Sequence, residues 1–106
     1  MNEPIGTEAT GSTILTHAAG LHARPVLKLT MLAKTFAAKI EIAANPEGPW
    51  IDAKSVVKVM AMKAPKGATL HFRAGGEKAE EAVAAIIALI DRDFDKDAEG
   101  EKAANG

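Results

Sequence analysis

The spacing of apolar positions changes repeatedly along this chain, and each change marks a new element. Residues 12–18 (STILTHA) read as a first strand carrying Ile14 and Leu15, stopped by Gly20. From Ala23 the period becomes helical. Val26, Leu29, Ala33 and Phe36 form one stripe, Leu32 lies beside it, and Lys28 and Lys34 fall off it. Residues 39–43 (KIEIA) alternate, with Ile40 and Ile42 on one side of a half-buried strand. The turn cluster Asn45-Pro46-Glu47-Gly48-Pro49 leads into a short strand over Trp50–Ala53. Ser55 then stands before VVKVMAM as the natural N-cap of a short helix, closed by Pro65 and Gly67. Residues 68–73 alternate again, Leu70 and Phe72 inward and His71 outward, until Gly75-Gly76. The last helix covers 77–91, with Val83, Ile86, Ile87 and Ile90 at helical spacing. Glu77, Glu80 and Glu81 sit against the positive end of its dipole. The order is βαββαβα: an α+β chain in which helices cover one side of a four-stranded sheet. The pairing order does not follow from this pattern.

The 106 residues amount to one domain with one modest core. Residues 1–11 and the charged stretch 93–106 read as loose ends, leaving 12–92 as the folded unit. No apolar run reaches the roughly 18 residues of a membrane span. The N-terminus has neither the basic start nor the apolar stretch of a secretory signal. The chain has no cysteine, which excludes disulfides, a thiol nucleophile and thiolate metal sites, and fits the cytoplasm.

A net charge of −1 conceals a strong asymmetry. Residues 1–19 carry −2. Residues 20–73 carry nine Lys/Arg against three acids, or +6, and residues 74–106 carry −5. A basic middle region points to an acidic partner: nucleic acid, a phosphorylated ligand or an acidic protein face.

The chemistry concentrates at Gly20-Leu21-His22-Ala23-Arg24-Pro25, where a strand ends and the first long helix begins. Pro25 suits a first helical turn, because its missing N–H would be unpaired there anyway. His22 thus lies just ahead of unpaired backbone N–H groups, which with the helix dipole favour an anion. A neutral imidazole accepts a phosphoryl group, the helix start holds its oxygens, and the Arg24 guanidinium pairs with two of them. The plainer alternative for His22 is a helix cap or surface residue, and for Arg24 a solvated charge.

GLHARP followed by AKSVVKVM closely resembles the histidine-containing phosphocarrier (HPr) family of the bacterial sugar phosphotransferase system. The resemblance runs from about residue 12 to about residue 92. It implies an open-faced β-sandwich, a four-stranded antiparallel sheet with three helices on one face, acting as a cytoplasmic monomer without cofactor. By that resemblance His22 is the histidine phosphorylated on Nδ1 by enzyme I, and Arg24 supports the phosphoryl group. Ser55 matches a serine that a dedicated HPr kinase phosphorylates in some bacteria. Val56, Val57, Met60 and Met62 fall in the apolar patch that meets enzyme I and enzyme IIA-type acceptors. Transfer to those partners makes the chain a carrier, not an enzyme turning over a free substrate.

Three departures stand out. Ala19 replaces an Asn common in the family, and Lys63-Ala64 replaces a Gly followed by a larger apolar residue. The loop Asn45–Pro49 is longer than in compact free carriers and similar to loops of HPr modules fused to enzyme I or enzyme IIA domains, so free carrier and fused module both stay open. His17 and His71 read as ordinary surface residues. No metal spacing, nucleotide-binding glycine loop or nucleophile triad is present. A purely regulatory module of the same fold would commonly lack the histidine at position 22. A nucleic-acid binder would need aromatic stacking positions, and Trp50 is the sole aromatic near a loop.

Overall fold

Alternation along the strand Thr69–Gly75 sends Leu70, Phe72 and Ala74 into the interior and His71 and Arg73 to the other side. That strand is the spine of the computed structural model, which describes residues 8–95. In chain order the elements are β1 (Ala9–Ile14), α1 (Ala23–Lys34), β2 (Lys39–Ala43), β3 (Ile51–Asp52), α2 (Val56–Ala61), β4 (Thr69–Gly75) and α3 (Ala79–Asp91). A single left-handed turn, Asp93–Asp95, follows α3.

The four strands form one antiparallel sheet in the order β1-β4-β2-β3. Ser12 lies opposite His71 across β1–β4, and Ala43 opposite His71 across β2–β4. Three helices cover one face, giving the open-faced sandwich expected from the sequence. The core between them is built from Val26, Leu29 and Ala33 of α1, Val59 of α2, and Val83, Ile86 and Ile90 of α3. These pack on Ile40, Ile42, Leu70 and Phe72 of the sheet. Each large side chain fully buried there contributes about 1.5–3 kcal/mol.

Several boundaries differ from the sequence reading. β1 begins at Ala9 and ends at Ile14, so the strand lies earlier than 12–18 and takes in part of the expected loose N-terminus. Its helix-facing positions are Ala9, Gly11 and Thr13, whereas Ile14 is 55% exposed. Small residues are required because α3 lies close. A Cβ on Gly11 would come within 2.6 Å of Ile87 Cδ1 and 3.0 Å of Val83 Cγ1. α3 starts at Ala79, because Gly76 and Lys78 adopt positive φ and leave Glu77 outside the helix. At the other end the fold runs past 92. Phe94 is buried, Lys28 Nζ donates to its carbonyl at 2.8 Å, and the His17 ring meets it edge-on at 5.8 Å. Burial of that one aromatic ring holds the turn to the domain. The rest of the expected charged tail, 96–106, lies outside the described residues, as do residues 1–7.

On the helix-free face, Arg73 Nε donates to Glu41 Oε1 at 2.6 Å, and Trp50 stacks on the guanidinium at 4.3 Å. Trp50 is therefore engaged by a cation rather than free for stacking on a base.

Candidate functional site

The segment between β1 and α1 is stitched to the α2–β4 connection by backbone groups. Leu15 N–H donates to Ala68 O at 2.8 Å, Gly67 N–H to Leu15 O at 2.7 Å, and Leu21 N–H to Ala64 O at 2.9 Å. Gly20 makes this approach feasible. Its φ is +71°, and a Cβ there would stand 2.6 Å from Ala64 O. Only glycine takes that backbone at that distance without strain. Within the loop, Gly20 N–H closes a turn on His17 O, and Ala19 N–H donates to His17 Nδ1 at 3.1 Å. His17 is thus half-buried and structural, which corrects its reading as an ordinary surface residue. His71 lies half-exposed on the helix-free side of β4, as expected.

His22 is the N-cap residue of α1, extended at φ −103° and ψ −175°, and its ring makes no cap hydrogen bond. The imidazole is exposed and uncommitted. The first helical bond runs from Val26 N–H to His22 O, and Pro25 has no N–H. The donors left at the helix start therefore narrow to two, Ala23 and Arg24. Two converging N–H groups at the positive end of a 12-residue helix form an anion seat beside the ring. Arg24 is exposed next to it with no side-chain partner among the described residues.

His22 also borders an open depression of about 460 Å³, lined by Ala19, Leu21, Met60, Lys63, Ala64 and Pro65. Its far wall is α2. Ser55 caps that helix, its Oγ accepting from Lys58 N–H at 3.2 Å. Of the four apolar residues expected to form a patch, Val57 is 78% exposed, while Val56, Met60 and Met62 are half-buried against the core. The neighbouring α1 adds Leu27 (47% exposed) and Met31 (65% exposed), which sequence reasoning missed. Their signal was present: they are apolar, four residues apart, and off the buried stripe.

The basic middle of the chain divides on inspection. Lys28 is tied to Phe94 O, Lys54 Nζ to Phe36 O at 2.7 Å, and Arg73 and Lys39 to Glu41. Among the described residues Arg24, Lys34, Lys58, Lys63 and Lys66 keep uncommitted side chains. No group of three His, Asp or Glu side chains among the described residues could hold a metal ion, and no helix there is long and apolar enough to cross a membrane.

An antiparallel sheet backed by three helices, with a free histidine at the N-cap position of the first of them, is the arrangement expected of a phosphocarrier, and comparison with known proteins agrees. The family described as "PTS HPr component phosphorylation site" matches residues 9–92. The chain belongs to that HPr family and is a carrier of the phosphotransferase system. It is 39% identical over 83 residues to phosphocarrier protein NPr of Escherichia coli (strain K12), covering 78% of this chain and 91% of the relative. Identity to phosphocarrier protein HPr of Pseudomonas aeruginosa is also 39%, over 77 residues, covering 73% and 84%. Among solved structures, HPr-C-His from Thermoanaerobacter tengcongensis superposes with a TM-score of 0.77 at 26% identity, covering 84% of this chain and 98% of that one.

Proposed function

We propose that this chain relays a phosphoryl group through His22, from phospho-enzyme I to a histidine on an enzyme IIA-type acceptor. The observation that carries the reading is the free imidazole at the N-cap of α1, beside the unpaired N–H groups of Ala23 and Arg24. The ring nitrogen, Nδ1 by family likeness, attacks phosphorus. The N–P bond to the donor histidine breaks as the new one forms, and the donor imidazole departs. The two N–H groups and the Arg24 guanidinium then balance the charge on the phosphoryl oxygens. A second transfer repeats the step with His22 as the donor: the acceptor histidine attacks phosphorus, the His22 N–P bond breaks, and the His22 imidazole is released. Docking uses the exposed apolar residues Leu27, Met31 and Val57 with Met60, together with the uncommitted lysines, against acidic partner faces.

Ser55 serves first as the cap of α2. Phosphorylation by an HPr-type kinase would place about −1.5 to −2 charges at the edge of that docking surface, repelling acidic partners.

Incubation with phosphoenolpyruvate and enzyme I tests the reading. The expected product is an adduct of about 80 Da, labile in acid and stable in alkali, absent in His22→Ala. Failure to form it with demonstrably autophosphorylated enzyme I would refute the assignment. Arg24→Ala should slow transfer by about tenfold, the worth of one charged hydrogen bond, with the fold intact; an unchanged rate removes Arg24 from the site.

A further inference from the structure

We propose that Lys63 is a phosphoryl-binding residue, its ammonium meeting the group carried by His22 from across the depression the two residues share. The inference rests on the carrier reading of His22 and adds the facing wall of the site.

Lys63 and His22 line the same hollow, whose remaining lining residues, Ala19, Leu21, Met60, Ala64 and Pro65, carry no charge. Such a rim screens a cation less than open water does. The Lys63 side chain has no hydrogen bond or ion pair among the described residues. Lys28 and Lys54, by contrast, are spent on the carbonyls of Phe94 and Phe36.

Position 63 is also a place where lysine is disfavoured. α2 ends with Met62 N–H on Val59 O and Lys63 N–H on Met60 O, and Lys63 itself takes φ +51°. A left-handed residue just past a helix cap is most often glycine, which has no Cβ to strain. Strain alone selects nothing, since Lys78 is left-handed too, at φ +58°. What distinguishes Lys63 is that its disfavoured backbone stands at the rim of the hollow beside His22.

The phosphoryl group offers its oxygens on two sides. The N–H groups of Ala23 and Arg24 take one, and Lys63 takes the other. A cation there favours the dianion over the monoanion, so its removal raises the pH at which the bound phosphoryl group protonates. One charge at roughly 6 Å corresponds to a shift of about half a pH unit even with full water-like screening, which is the lower bound at this rim.

The experiment is a ³¹P NMR titration of the isolated phosphoprotein, prepared with phosphoenolpyruvate and enzyme I and freed of both. Lys63→Gly and Lys63→Met should raise the midpoint by about half a unit, and Lys63→Arg should restore it. Lys63→Gly should also raise Tm by about 4 °C through relief of the left-handed backbone, whereas Lys63→Met should not. A gain in stability paired with a loss in phosphoryl stabilisation is the signature of a binding residue, which a structural role would not produce. Wild-type midpoints in both the glycine and methionine variants would overturn the proposal, as would an effect confined to KM for enzyme I, which assigns Lys63 to docking. Absence of phosphohistidine on the wild-type chain is a separate result: it would overturn the reading of His22 and this inference with it.

Discussion

Replacing Gly20 with alanine challenges the junction that holds His22 in place. The residue sits at φ +71°, where an alanine costs about 1–2 kcal/mol. Its new Cβ would also stand 2.6 Å from Ala64 O and 3.1 Å from Pro65 Cα, both backbone atoms that cannot swing aside. Relief requires the loop to lift from the α2–β4 connection, stretching the 2.9 Å bond from Leu21 N–H to Ala64 O, worth about 1 kcal/mol. The expected loss is about 2–3 kcal/mol in all, or roughly 10–20 °C in Tm for a domain of this size. Gly67→Ala is the matched control. Its φ of +94° is also positive, but a Cβ there would meet nothing within 4 Å. It should suffer the backbone strain without the collision. Urea unfolding followed by far-UV circular dichroism gives both values, with the m-value checking that the unfolded states match. Gly20→Ala should exceed Gly67→Ala by about 1 kcal/mol and should slow phosphotransfer, which Gly67→Ala should leave alone. Equal costs for the two would refute the argument that backbone contact seats the loop.

Phe94→Ala should destabilise the domain by about 3 kcal/mol in the same assay, because a buried ring packed edge-on against His17 is lost; a change below about 0.5 kcal/mol would show that the closing turn is not held by it. Ser55→Ala should lose about 1 kcal/mol as a missing N-cap while leaving the transfer rate at saturating enzyme I unchanged. A rate loss at saturation would give Ser55 a part in the chemistry.

The helical periods of α1 and α3 and the alternation of β2 and β4 were plain in the sequence, because each element buries one face of large apolar residues. β1 was misplaced for the opposite physical reason. Its helix-facing side is the half-buried Ala9, Gly11 and Thr13, kept small by the approach of α3, and its most strand-like residue, Ile14, faces outward. Phe94 was missed as a core residue because Asp93 and Asp95 flank it in sequence, and only the folded chain brings it against His17 and its carbonyl to Lys28. At the site, the N-cap positions of His22 and Ser55 were legible because capping is a local property. The sharing of one hollow by His22, Met60 and Lys63 was not, since it depends on a contact between segments some forty residues apart. The charge count showed the same limit: it found the excess of lysines but not which of them the fold had already used.

The loop bearing His22 and the connection after α2 are joined by main-chain atoms, Leu21 N–H on Ala64 O and the bare Cα of Gly20. No side chain on the rim takes part in that join. Residues 19, 60 and 63 are therefore free to change identity without moving the imidazole. Substitution at the rim can therefore change partner preference and, at position 63, the charge beside the site, while the loop that bears His22 keeps its place.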